Sequence, residues 1–174
     1  RLQREPDMRV LEVGGEAEGL ANARVFRAEV GPDGDLWIWS EGGLQRRRPG
    51  ATRVEPADEF SSAISTDVWG FAFDDAKRLW VASRRTDGGL AVRRPDETWR
   101  VFDQLPDGTK IGLAYAVARR RAGGIWASLG KRIAACDGET IAPLPDPPAA
   151  MSNPYVNKLF EDGKGRLWAA SGSG

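Results

Sequence analysis

Hydrophobic positions in this chain fall in short bursts separated by turn-forming residues. Val25-Phe26-Arg27-Ala28-Glu29-Val30, Val68-Trp69-Gly70-Phe71-Ala72-Phe73, Tyr115-Ala116-Val117-Ala118 and Tyr155-Val156-Asn157-Lys158-Leu159-Phe160 are rich in aromatic and β-branched residues, the composition of strands. After each burst comes a polar turn and a second apolar run. The copies are Asp33-Gly34-Asp35-Leu36-Trp37-Ile38-Trp39-Ser40, Asp74-Asp75-Ala76-Lys77-Arg78-Leu79-Trp80-Val81-Ala82-Ser83, Arg121-Ala122-Gly123-Gly124-Ile125-Trp126-Ala127-Ser128 and Asp162-Gly163-Lys164-Gly165-Arg166-Leu167-Trp168-Ala169-Ala170-Ser171. Pro32-Asp33-Gly34 and Asp162-Gly163 supply the preset φ and the tolerance for positive φ that a tight hairpin needs. Trp37, Trp80, Trp126 and Trp168 stand 43, 46 and 42 residues apart, and self-similarity at such a period marks a solenoid, propeller or array.

Two further strands complete the unit. Glu41-Gly42-Gly43 leads into Leu44-Gln45-Arg46-Arg47, and Asp87-Gly88-Gly89 into Leu90-Ala91-Val92-Arg93. A fourth strand is predicted at Thr52-Arg53-Val54, at Thr98-Trp99-Arg100-Val101-Phe102 and at Thr140-Ile141-Ala142, where polar and apolar residues tend to alternate as on an outer strand with one wet face. No helical periodicity interrupts the series. Four antiparallel strands in about 43 residues, repeated radially, make a β-propeller blade. The expected fold is therefore all-β, a propeller of four-stranded antiparallel blades with about four blades' worth of chain.

The repeat places blades at 21–62, 63–108 and 109–150, with half-blades at 1–20 and 151–174. Arg1-Leu2-Gln3-Arg4 resembles Gly43-Leu44-Gln45-Arg46, so Leu2 is read as opening a third strand and Met8-Arg9-Val10-Leu11-Glu12-Val13 as a fourth. The two halves could pair to close a four-bladed ring, or the chain could be cut from a larger ring of about seven blades. The larger ring is expected, because both ends fall within a blade. Exposed sheet edges would then call for the remaining blades or a second copy of the chain as partner.

Composition narrows the function. Of 174 residues, 41% are hydrophobic, enough for a packed core, and 25 Lys plus Arg balance 25 Asp plus Glu. No global field favours nucleic acid or an anionic surface, so no nucleic-acid partner is expected. The longest apolar stretch, Ile111 to Ala118, is far short of the roughly 18 to 20 residues that span a bilayer, so no direct membrane insertion is expected of this segment. Cys136 is the single cysteine and there is no histidine, which removes Ser-His-Asp chemistry, a histidine base and most zinc sites from these residues. Asp33, Asp74 and Asp162 are expected as turn formers on separate blades rather than as a calcium cage. No metal, cofactor or catalytic residue is therefore predicted. Arg46-Arg47-Arg48 and Arg119-Arg120-Arg121 are expected to be solvated charge, and the repeated tryptophans to pack between blades.

Phe160-Glu161-Asp162-Gly163-Lys164-Gly165-Arg166-Leu167-Trp168, and Gly34-Asp35-Leu36-Trp37 with Gly42-Gly43-Leu44, resemble the repeat of the two-component regulator propeller family. The third repeat departs from it, with Arg119-Arg120-Arg121-Ala122-Gly123-Gly124 for the acidic turn and Lys131-Arg132-Ile133 for Gly-Gly-Leu. The resemblance implies a non-catalytic sensing region on the periplasmic or extracellular side of a bacterial inner-membrane receptor, with a histidine kinase or diguanylate cyclase portion elsewhere in the parent chain. Its ligand would be a small molecule, a saccharide or a protein partner. Two rivals stand beside it: a propeller lyase or hydrolase resembling streptogramin lyase, and a scaffold that only docks proteins.

Binding groups concentrate on loops held by a rigid scaffold. Loops between second and third strands, and the long connections between blades, emerge on one face of a propeller. Asn22, Glu41, Arg84, Arg85, Asp87, Asn153 and Tyr155 are the candidate ligand-binding residues on that face.

Overall fold

The computed structural model describes residues 15–57, 67–84, 89–145 and 155–172. Strands assigned to Leu2 and to Met8–Val13, and the Arg85, Asp87 and Asn153 positions, lie outside the described residues.

The first sheet holds β1 (Val25–Val30), β2 (Leu36–Ser40), β3 (Gly43–Arg47) and β4 (Glu55–Pro56). The second holds β5 (Val68–Phe73), β6 (Leu79–Ser83), β7 (Leu90–Arg93) and β8 (Trp99–Phe102), and the third β9 (Ala114–Arg119), β10 (Ile125–Leu129), β11 (Arg132–Cys136) and β12 (Ile141–Pro143). A two-stranded sheet of β13 (Val156–Glu161) and β14 (Leu167–Ser171) follows. Within every sheet each strand pairs antiparallel with the next in sequence. β9 packs against both β5 and β13, so these three first strands lie side by side along one axis, and the first sheet meets the second through β2 and β5. The fold is a β-propeller. Its only helical element among the described residues is a single 3₁₀ turn at Glu16–Glu18.

All four first hairpins close the same way. The residue three places before each tryptophan, Gly34, Lys77, Gly123 or Gly165, takes a positive φ of 87°, 61°, 93° or 75°. Its N–H donates to the carbonyl three residues back. Glycine holds that conformation without strain, whereas Lys77 bears a steric penalty that the surrounding turn must offset.

Indoles join the sheets. Trp37 is buried among Phe71, Leu79, Val81 and Ala91 of the second sheet, and Trp80 stacks on Phe102, centroids 5.9 Å apart, beside Val117 and Ile125 of the third. Trp126 meets Val156, Leu159 and Leu167 of the fourth. Each ring removes roughly 150–250 Å² from water, worth about 4–6 kcal/mol gross, which makes the seams between sheets the main stabilising surfaces.

Two local expectations are corrected. The outer strand of the first blade is Glu55–Pro56, not Thr52-Arg53-Val54. Val54 instead gives its N–H to the Glu18 carbonyl at 2.7 Å and packs on Leu20 and Ile38, so that stretch is held by the incoming chain rather than by β3. The basic run Arg46-Arg47-Arg48 is not uniformly solvated either. The Arg46 side chain is 11% exposed, between Asp35 and Glu55 at 3.8 Å each, because the register sets Glu55 across from it and Trp37 beside it.

Candidate functional site

Every first strand carries a one-residue register slip near its start. Pairing runs from Val25 to Arg27, from Val68 to Gly70, from Ala114 to Ala116 and from Val156 to Lys158. The extra residues are Phe26, Trp69, Tyr115 and Asn157. A bulge twists the strand locally and re-aims the side chain it carries. Three of the four therefore present an aromatic ring at one mouth of the axis, at the strand ends away from the first hairpin turns.

These rings form an arc. Trp69 meets Tyr115 edge-on, centroids 5.8 Å apart, and Tyr115 meets Tyr155 at 5.4 Å. Phe26 lies 4.8 Å from Trp39, their planes tilted by 41°. Between the first and second sheets a cleft of about 270 Å³ opens, lined by Phe26, Trp39, Ser40, Glu41, Asp67, Val68 and Trp69. Polar groups frame it: the Trp69 indole N–H donates to Asp67 Oδ1 at 3.1 Å, and Arg24 pairs with Glu41 Oε1 at 2.7 Å. The Arg24 guanidinium lies 5.5 Å from the Phe26 centroid, and that of Arg84 lies 4.7 Å from Trp69.

Of the residues nominated from sequence, Glu41, Arg84 and Tyr155 meet at this mouth. Asn22 stands beside it, where its Oδ1 accepts the Arg24 N–H at 2.8 Å and shapes the entry to β1. Phe26, Trp39, Asp67, Trp69 and Tyr115 were not nominated. Phe26, Trp69 and Tyr115 share a signal in the sequence nonetheless, since each stands at one fixed offset before the tryptophan of its repeat.

The opposite mouth is a network of ion pairs. Arg27 pairs with Glu29, Arg119 with Asp75, and a cleft of about 640 Å³ between them reaches Phe160 and Glu161. Glu161 Oε2 accepts both the Arg121 backbone N–H at 3.0 Å and the Trp126 indole N–H at 2.7 Å, which hold its carboxyl below the usual range. Asp162 accepts the Trp168 indole at 2.9 Å, with Arg166 beside it, and is held down to about 2. Burial, with Asp33 nearby, pushes Asp35 the other way. The thiol of Cys136, buried next to Asp137, is pushed up to about 12 and is a poor nucleophile. Among the described residues no three of Cys, Asp or Glu converge to hold a metal ion. The chemistry on offer at the aromatic mouth is stacking, cation–π attraction and hydrogen bonding.

No family model matches the chain, and neither does any curated protein sequence. Solved structures do. The extracellular domain of BT4673, assigned to a one-component system of B. thetaiotaomicron, superimposes with a TM-score of 0.64 at 21% identity over 85% of this chain. The extracellular domain of BT3049, assigned to a hybrid two-component system of the same organism, gives 0.65 at 18% over 84%. Virginiamycin B lyase from Staphylococcus aureus gives 0.62 at 16% over 84%. The chain spans 20% of the length of each of the two extracellular domains and 48% of the lyase. At these identities the likeness is one of fold. Extracellular domains of one- and two-component systems, the class of protein that the repeat resembles, are among its neighbours.

Proposed function

We propose that this chain is part of the sensing propeller of a bacterial one- or two-component receptor, on the periplasmic or extracellular side, and that it binds without catalysing. The observation that carries this reading is the bulge repeated in successive first strands, which brings Phe26, Trp69 and Tyr115 to one mouth together with Glu41, Arg84 and Tyr155. A ligand there would bridge neighbouring blades and would signal by binding one state of the receptor more tightly than another. The neighbours of known structure support the receptor setting through their shared architecture.

The lyase neighbours favour a second reading. A histidine-to-alanine variant of the Staphylococcus aureus lyase is catalytically inactive, and these 174 residues contain no histidine. A lyase would have to draw that group from elsewhere.

Thermal-shift screening of the chain against a panel of oligosaccharides, amines and organic acids, with mass spectrometry of each mixture afterwards, tests the proposal. The expected result is a panel member that raises the melting temperature, is recovered unchanged, and loses its effect in a Tyr115→Ala/Tyr155→Ala or a Trp69→Ala variant. Conversion of a panel member, or a shift that survives both variants, would count against it.

A further inference from the structure

Two of the rings that line the cleft between the first and second sheets already carry a cation each. Arg24 lies over Phe26 and Arg84 over Trp69, both on exposed side chains. The face of an aromatic ring is electrostatically negative, and it attracts an ammonium or guanidinium most strongly where water is partly excluded. Glu41, which completes the Arg24 contact, lines the same cleft as Asp67 and Trp69. Ring faces and carboxylates together select positive charge, and the tethered arginines are its intramolecular surrogates.

We propose that this cleft binds a small organic cation, an ammonium or trimethylammonium head group, seated against Phe26, Trp39 and Trp69 with Glu41 and Asp67 as counter-charges. The inference rests on the reading of this mouth as the sensing face and adds the ligand class. Size agrees: about 270 Å³ is at or below the lower bound for drug-sized pockets and suits a head group better than an extended chain of sugars. The tilted Phe26 and Trp39 rings make a corner rather than the flat platform on which a pyranose stacks. An anionic ligand would have to lean on Arg24 and Arg84, which lie outside the cleft lining, and would meet the Glu41 and Asp67 carboxylates within it. An incoming cation instead takes the place of Arg24 on Glu41, and the displaced guanidinium is rehydrated in solvent.

Displacement gives the proposal a signature that a merely polar pocket lacks. Removing the competitor must strengthen binding, whereas an anion or sugar that leans on arginine would be weakened. The experiment is isothermal titration of the chain with choline and with its uncharged isostere, in which a tert-butyl group replaces trimethylammonium. Choline is expected to bind roughly fivefold or more tightly than the isostere. Arg24→Ala should tighten choline binding, Glu41→Gln should weaken it, and Trp69→Ala should abolish it. If Trp69→Ala loses its sheet spectrum in circular dichroism, Glu41→Gln, on an exposed turn, carries the test. Choline binding no tighter than the isostere, no tightening by Arg24→Ala, or undiminished binding by Glu41→Gln would overturn the proposal. Any of these would leave the panel screen with Tyr115 and Tyr155 to judge the sensing mouth itself.

Discussion

Asp74 and Asp162 stand six residues before Trp80 and Trp168 and are wired alike. In each, Oδ1 accepts two backbone N–H groups of the turn, and Oδ2 accepts an arginine Nε and the indole N–H. One carboxylate thus sets the hairpin, pins an arginine against the ring and fixes the ring's orientation. Burial separates the pair: Trp80 is 0% exposed and Trp168 55%. Replacing Asp74 by Asn keeps the shape and removes the charge, leaving a buried indole and guanidinium short of an acceptor. The expected loss is about 2–3 kcal/mol in urea unfolding, against a much smaller loss for Asp162→Asn, whose partners can turn to water. Equal losses would mean that the hub's worth does not depend on burial. The first and third repeats lack this carboxylate, with Gly31 and Arg120 in its place. The Trp37 indole N–H finds no acceptor among the described residues, while Trp126 borrows Glu161 from the next sheet.

That loan makes β13 a brace for the third hairpin as well as a strand of its own sheet. Glu161 is held below its ordinary 4.5 by the Arg121 backbone N–H first and the Trp126 indole next, so its contribution to stability is fully present above that ordinary value. It is lost as pH falls through the lowered one. Amide exchange at Arg121 and indole exchange at Trp126, followed by NMR as the pH is lowered from about 6 to about 3, should show both protected at the upper end and released together at the lower. In Glu161→Gln the release should not follow pH; an unchanged profile in that variant would remove Glu161 from the account. Such a link was hidden in the sequence, because it joins residues 35 and 40 positions apart and depends on which blade follows which. The bulges were hidden for another reason. A slip of one residue in β1, β5 or β9 leaves strands with the same aromatic and aliphatic content, and only the pairing reveals that Phe26, Trp69 and Tyr115 are the extra residues. Turns and indoles were legible because each is a local requirement: a positive φ three places before Trp37, Trp80, Trp126 and Trp168, and an apolar run after it. The β4 shift shows the limit of local reading, since Val54 satisfied the strand pattern but was taken by Glu18 and Leu20.

Over the whole molecule the surfaces of the sheets are unequal. Each of the first three sheets packs a tryptophan against the sheet that follows, whereas Trp168 is open and Phe160, beside it in the register, is 63% exposed. Two large rings on one hairpin, with Ala170 also exposed on their face, form the kind of contiguous apolar patch that soluble monomers rarely leave uncovered. The equivalent patch around Trp80 is met by Val117, Ile125 and Ala134, so a face of that composition is what the hairpin is shaped to receive. Val25 and Val30 of β1 are exposed at the other end of the series and offer the same kind of surface. Contact between unlike faces of two copies is heterologous and need not close on itself. The isolated chain is therefore expected to associate with rising concentration, seen as a growing mean mass in light scattering. Phe160→Lys should suppress that growth while the sheet spectrum stays unchanged, because the side chain stands in solvent and supports no buried contact of its own sheet. A monodisperse monomer at every concentration, or growth indifferent to Phe160→Lys, would show that the patch is tolerated in water and that the seams between sheets do not extend beyond β14.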